Sequence, residues 1–535
     1  MRLSWPKFNR QERLATSSGV PLKPYLDSRE EGWRARVRRF LPWVLALWCL
    51  FQGFFFALFA PYLVVLSIAP VAVLGALVIW ALPDTRYSPA KYLEPLVFGL
   101  LISLIAWPDY LAVALPGLPW ITMNRLFGIP LAGLFLVCVS ASPDFRTRLA
   151  ATLNAVPVVW KLLTLFVVIQ FISIGFSRLP FDSIQKFVLA QIDWTVVFFA
   201  ACYVFMKPGR VARWAAIVWA LAVFVGLIGV AEVARGQVPW AGHIPGFLRI
   251  QDPTVALVLK GGARAALGVH RLQSTSTTPL GAAEFVALAL PFILQFATGN
   301  YRLAVRLAAY ASTAFLFWIV LLTQARLGMI GFILAVLLQV LFWALLRVRR
   351  QKSGLIARVV VYAYPVGFCL AIASTFFFHR IRAVVWGNGP QAASNEARQV
   401  QIQTGIPKIL SHPWGHGIGM GGDTLNYIDL NGLLTIDSYY LSIALEYGVL
   451  GFAVYYGLFA YAAYISSRYT ISHGNRSREY GFLGAIAIAL VNFIVIKSVF
   501  SQEANHPLVF MILGMAVALL WRIQREAQGV AERGP

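Results

Sequence analysis

The sequence predicts an all-α, polytopic integral membrane bundle of about fourteen transmembrane helices with two long outer loops. Three observations carry that expectation. The chain is 59% hydrophobic and only 13% charged over 535 residues, far from the balance of a soluble domain. Apolar runs of roughly 17 to 25 residues recur along its length, each long enough to cross a hydrocarbon core about 30 Å thick as a helix. They are continuous rather than alternating, which excludes a membrane barrel. The basic residues, finally, cluster in every second loop, as the positive-inside rule requires.

In chain order, residues 1–40 form a basic tail whose Arg29, Arg34, Arg36, Arg38 and Arg39 stand next to the first apolar run and place the tail in the cytoplasm. No small-residue cleavage site follows that run, so a removable signal peptide is not expected. Residues 41–232 read as the first seven spans, 233–278 as the first long outer loop, and 279–377 as four more spans. Residues 378–437 read as a larger outer loop, 438–522 as the last three spans and 523–535 as a cytoplasmic tail. The third span, 94–115, is interrupted by Trp107, Pro108 and Asp109, which favours a shorter helix with an interfacial hook. With this count both termini and every basic loop are cytoplasmic, and the formal charge of +23 needs no nucleic acid to explain it. Cys49, Cys138, Cys202 and Cys369 lie inside apolar runs and read as small buried hydrophobes.

Chemistry is expected in the outer loops, because an unstructured connection of this length in a compact protein is usually functional. The first ends with Arg264, His270 and Arg271 ahead of a Ser/Thr-rich turn and Pro279. Arginine on the side the charge rule depletes asks for an anionic partner, or else snorkels to the interface. Glu284 lies about a turn inside the next helix, where a carboxylate is costly unless it faces a cavity or a partner; Arg271 is the nearest candidate for an ion pair. Arg326 stands almost alone between two apolar helices in LLTQARLG. Its planar fork suits a diphosphate better than a lysine does.

The second loop contains Arg398 and Lys408, then HPWGHGIGMGG, then IDSYYLSIALEYGVLG. Its glycines suit close approach of a ligand or a positive φ. The His412/His416 pair lacks a third ligand at metal-site spacing, so no metal and no cofactor is expected. Asp437 opens an apolar helix and is either an N-cap, a general base or both. Tyr439 and Tyr440 are substrate contacts or interfacial aromatics, and Glu446 is a buried hydrogen-bonded group.

Together, LLTQARLG, the Pro-Trp-Gly-His-Gly-Ile-Gly loop and IDSYYLSIALEYGVLG resemble the O-antigen ligase and polymerase superfamily over about residues 264–455. The resemblance implies a metal-independent, inverting glycosyl transfer at the periplasmic face of the bacterial inner membrane, with undecaprenyl diphosphate as leaving group. Its partners would be lipid-linked oligosaccharide donor and acceptor, membrane lipids, and chain-length or export proteins. Arg271 and Arg326 fall on the diphosphate-binding positions. Arg264, Arg398, His416, Tyr439, Tyr440 and Glu284 are the further substrate-binding candidates. Asp437 falls where ligases carry His followed by Asn, and Ser438 follows it here, which points to polymerisation of repeat units over ligation to lipid A-core. A transporter of the same lipid-linked glycan would instead show inverted repeats with paired broken helices, and the sequence has no such pair.

Overall fold

The computed structural model describes residues 40, 44, 47–48, 74–85, 88–113, 121–250, 270–349, 355–378, 392–428, 432, 434–473 and 477–532. The chain divides into two units, Met1–Ala81 and Leu82–Pro535. Within the first, residues 74–80 are helical. The cytoplasmic-tail arginines and most of the two spans expected at 41–60 and 62–82 lie outside the described residues, as does Arg264.

The second unit is an all-α, multi-pass membrane protein. Each of the twelve spans expected beyond residue 82 contains an apolar helix. Ten are long and apolar enough to cross a membrane, from Pro89–Ala106 to His506–Gln528, and two shorter ones are Leu355–Leu370 and Phe482–Lys497. Local sequence sets their ends. Thr122, Ser142 and Thr278 each accept a hydrogen bond from the backbone N–H three residues on, and Pro143 and Pro279 occupy the first helical turn where no N–H is needed. The third span is the short form: its helix stops at Ala106, and Leu111–Val113 becomes a strand pairing antiparallel with Ile121–Thr122 and Leu248–Ile250.

Two helices, Pro279–Thr298 and His506–Gln528, are almost wholly buried. They are apolar on all sides, as a helix must be when others enclose it. Close packing here depends on small residues. A Cβ added at Gly328 would collide with Ala283, and one at Gly514 would press on the Phe198 carbonyl and Ala201. The Asn492 side chain donates to the Ala287 carbonyl at 2.9 Å, an inter-helix bond of the sort worth about 0.6 kcal/mol in a bilayer.

Alternation of the spans gathers their ends at two faces. One face carries the ends at Ala106, Met123, Pro180, Arg235, Pro279, Thr323, Arg326, Tyr439, Lys497 and His506. It is tied across by Thr275 Oγ1 to the Ile105 carbonyl at 2.8 Å and Trp240 Nε1 to Tyr110 Oη at 2.8 Å. The other face holds Arg146 paired with Asp84, Arg210 paired with Glu94, and Arg522 paired with Glu479. The loop expected at 378–437 is partly helical, with Ala392–Ser411 and the short Gly421–Leu425.

Candidate active site

Arg271 is tied at the first face to the end of the helix that precedes Arg326. The Thr323 carbonyl, at the end of one span, accepts from Arg271 Nε at 3.0 Å, and Leu272 N–H donates to the Leu322 carbonyl. Gln324 then takes φ +53°, the chain reverses, and Arg326 begins the next helix. Both arginines are half-buried. The segment presenting Arg271 is clamped from below by Glu232, which is fully buried near the end of the Arg210–Arg235 helix. Its carboxylate accepts from the Gln273 N–H at 3.1 Å, from the Ser274 N–H at 2.6 Å and contacts His270 Nε2 at 2.9 Å. Ser274 sits at φ +53°, a conformation costly for a non-glycine residue and held here by those bonds.

Asp437 lies just before the Tyr439–His473 helix, so Ser438 takes the N-cap position. The Asp437 N–H donates to Gln401 Oε1 at 2.9 Å, and its carboxylate stands 3.8 Å from Arg398 Nε. Arg398 and Gln401 come from the Ala392–Ser411 helix, which the long loop lays over this end of the bundle. The connection 498–506 joins the two halves of the site. Thr277 and Thr278 donate to Gln502 Oε1, Ser501 donates to the Ile436 carbonyl, and Ser438 donates to the Ser498 carbonyl at 2.7 Å. Tyr439 donates to Glu503 Oε1 at 3.0 Å.

Glu284 pairs with Lys497 at 2.9 Å, both fully buried, and accepts from Asn505 at 2.9 Å. It is a bracket between helices, a partner set the sequence did not suggest. Tyr440 donates to the Ile494 carbonyl and packs on Phe452 and Tyr456. His416 belongs to a separate cavity of about 390 Å³ with Arg178, Lys408, His412 and Asp423. Burial holds its imidazole below the usual range, against the opposing hydrogen bond that Nδ1 donates to the Leu445 carbonyl at 3.1 Å. Its ring lies 4.9 Å from that of His412, and among the described residues no cluster of three metal-binding side chains occurs.

The glycines of the loop have a structural use that close approach to a ligand did not foresee. The Tyr439–His473 helix breaks at Gly448, at φ +69° and ψ −172°, which strips backbone groups of their helical partners. The loop supplies replacements: the His416 and Gly417 N–H groups donate to the Leu445 and Glu446 carbonyls at 2.9 and 3.1 Å, and the Val449 N–H donates to Pro413 at 3.1 Å. Gly415, Gly417 and Gly419 all have positive φ, and side chains there would strike Glu446, Ser177 and Lys186.

Beneath this interlock lies a cavity of about 420 Å³, within the range of sites for small ligands. Its wall includes Asp109, Arg125, Lys186, Asp193, Glu446 and Glu503, with Ile436 next to Asp437. Arg271, Arg326 and Asp437 do not line it. Burial pushes the Asp109 carboxyl up to about 6. Asp193 and Trp194 are turned toward the cavity by a π-helical turn, Gln191–Val196, a deformation common at functional sites. Of these residues the sequence singles out only Asp109, as a break in the third span, and Glu446, as a buried hydrogen-bonded group. A signal existed for the others: Asp193 is a carboxylate inside an apolar run, and Arg125 and Lys186 break the same charge rule that drew attention to Arg271.

Residues 311–456 match the family model described as O-antigen ligase. The matched stretch contains Arg326, Arg398, the glycine loop, Asp437 and Glu446, and stops short of Arg271. No curated protein matches the chain. Members of this family are glycosyltransferase-like enzymes.

Proposed function

We propose that this protein is a polysaccharide polymerase that joins undecaprenyl-diphosphate-linked oligosaccharide repeat units at the periplasmic face of the inner membrane, by inversion and without a metal. The observation that carries this reading is the bond from Arg271 to the Thr323 carbonyl, which ties Arg271 to the turn leading into Arg326, in a chain whose residues 311–456 match the O-antigen ligase family model. Cleavage of a sugar–diphosphate bond builds negative charge on the leaving group, and fixed cations in a site poor in water stabilise it. The two guanidiniums bind the diphosphate of the donor. An acceptor sugar hydroxyl attacks the anomeric carbon from the opposite side, its oxygen forms the new bond, and the bond to the diphosphate breaks. Asp437 takes the hydroxyl proton, and undecaprenyl diphosphate leaves with the electron pair. The acidic cavity suits the polar acceptor glycan, since carboxylates accept hydrogen bonds from sugar hydroxyls.

A second reading, ligation of finished glycan to lipid A-core, is favoured by the description of the matching family. One assay separates them. Purified protein in vesicles is given the lipid-diphosphate-linked repeat unit, alone and with lipid A-core. A ladder of products from the donor alone supports polymerisation; a single transfer that needs the core supports ligation. Arg271→Lys and Arg326→Lys keep the charge but lose the fork, and each is expected to cut turnover at least about tenfold. Full activity in both would remove the arginines from diphosphate binding.

A further inference from the structure

The face opposite the proposed active site carries a second convergence of arginines. A cavity of about 600 Å³ opens there between the ends of several helices, and Arg306, Arg347 and Arg478 all line it. Among the described residues of its wall there is no Asp or Glu. Arg306 donates to the Ala297 carbonyl at 3.1 Å, Arg347 lies over the Trp343 ring at 4.8 Å, and Arg478 lies over the Tyr301 ring at 5.8 Å. Among the described residues none of the three is in an ion pair. The Tyr301 hydroxyl is buried beside this space with no hydrogen-bond partner among the described residues. Three cations with no carboxylate on the described wall and an unsatisfied hydroxyl make a site suited to an anion.

Its depth is fixed by the helices that build it. Leu303–Thr323 has Arg306 near its start and the Thr323 carbonyl, which holds Arg271, at its end; Arg326–Arg349 has Arg326 first and Arg347 near its last turn. The two sets of arginines are therefore about 30 Å apart along the same helices, at 1.5 Å per residue, which is one hydrocarbon thickness. The cavity sits at headgroup level in the other leaflet. Phe342, Trp343 and Leu346 give it an apolar side, the pairing of aromatic body and polar tip usual at that depth.

We propose that this cavity binds a phosphate anion, with the arginines on the phosphate and the apolar side against the glycerol and first methylenes of an anionic phospholipid. Basic pockets between helices at headgroup level are a general means of holding such lipids. The proposal is independent of the transfer reaction on the opposite face.

The test uses the full chain, reconstituted in phosphatidylcholine nanodiscs with or without phosphatidylglycerol, or given inorganic phosphate in phosphatidylcholine alone. Lipid retained per protein after extraction, by native mass spectrometry, and the unfolding temperature are read in each case. The double variant Arg306→Gln/Arg347→Gln is compared with Arg302→Gln/Arg349→Gln, which removes the same charge from the same two helices outside the cavity wall. Arg347→Lys, which preserves charge and orientation in the membrane, is the variant to read if the double one does not fold. The lining pair is expected to lose phosphatidylglycerol retention at least about tenfold, the control pair little, and Arg347→Lys several-fold. Stabilisation by phosphatidylglycerol only identifies the lipid as the source of the phosphate; stabilisation by inorganic phosphate as well identifies a site for the free ion. Equal losses in the two pairs would reduce the effect to the general charge of the face and overturn the proposal. So would a wild-type protein indifferent to both phosphatidylglycerol and phosphate.

Discussion

Asp437 and Glu446 make different demands of a substitution. Asp437 is half-buried beside Arg398, whereas Glu446 is buried, accepts from Ser442 at 3.0 Å and faces the cavity. Asp437→Asn preserves size and most polar contacts but cannot accept a proton, and a loss of roughly 100-fold in turnover with unchanged folding is expected of a general base. Glu446→Gln should leave turnover within about tenfold. The reverse pattern, measured in the vesicle assay, would transfer the proton-accepting role to Glu446. Asp109 offers a test that needs no substrate. Its carboxyl is pushed up to about 6 by burial, so between roughly pH 4 and 6 the folded protein holds a proton the unfolded chain has released, and stability falls as pH rises through that window. Asp109→Asn should flatten this fall and raise the unfolding temperature at pH 7, by an amount worth at most roughly 3 kcal/mol. Unfolding temperatures of the two proteins that stay parallel from pH 4.5 to 7 would contradict it. The arginines and Asp437 stand out in the sequence because each breaks a local expectation, a charge on the depleted side or a carboxylate at a helix start. Glu503, Lys497 and Glu232 were not, because their partners are over thirty residues away and no local pattern announces them.

Among the elements, the broken helix Tyr439–His473 and the glycine loop form one unit. Gly448→Ala would place a side chain against the Pro413 carbonyl at a positive φ, and is expected to cost about 3 kcal/mol or more. Gly457 lies in the same helix in open space, so Gly457→Ala is the matched control and should be neutral or slightly stabilising. The difference is read as the recovery of monodisperse protein after mild heating in detergent; equal recovery would mean the break is not needed. The spans themselves were legible because an apolar run of membrane length has few alternatives. The helix Ala392–Ser411 and the three-stranded sheet were not. The first carries only a polar and mixed sequence, and the second depends on pairing Leu111–Val113 with Leu248–Ile250, far apart in the chain.

For the whole molecule, the separation of basic loops from the proposed site predicts which parts are reachable from which side. Reporter fusions near residues 240 and 425 should report the periplasm, and fusions near 207, 302 and 476 the cytoplasm. A cytoplasmic signal from either of the first two would place Arg271 and Asp437 on the wrong side for a lipid-linked donor delivered to the periplasm.

The exchange of backbone bonds between Pro413–Gly417 and Leu445–Val449 also orders events in time. The loop is synthesised before the helix that supplies its acceptors, so its final shape waits for the following span to enter the bilayer. Until then the peptide groups of the loop are served by water outside the membrane, where they cost little. Once the span is inserted, its two exposed carbonyls at the break face a region with less water to serve them, and the loop is the nearest group able to do so. Maturation of the site is thereby tied to arrival of the following span, and a nascent protein halted before Leu445 has every residue of the loop but not the carbonyls to which His416 and Gly417 donate.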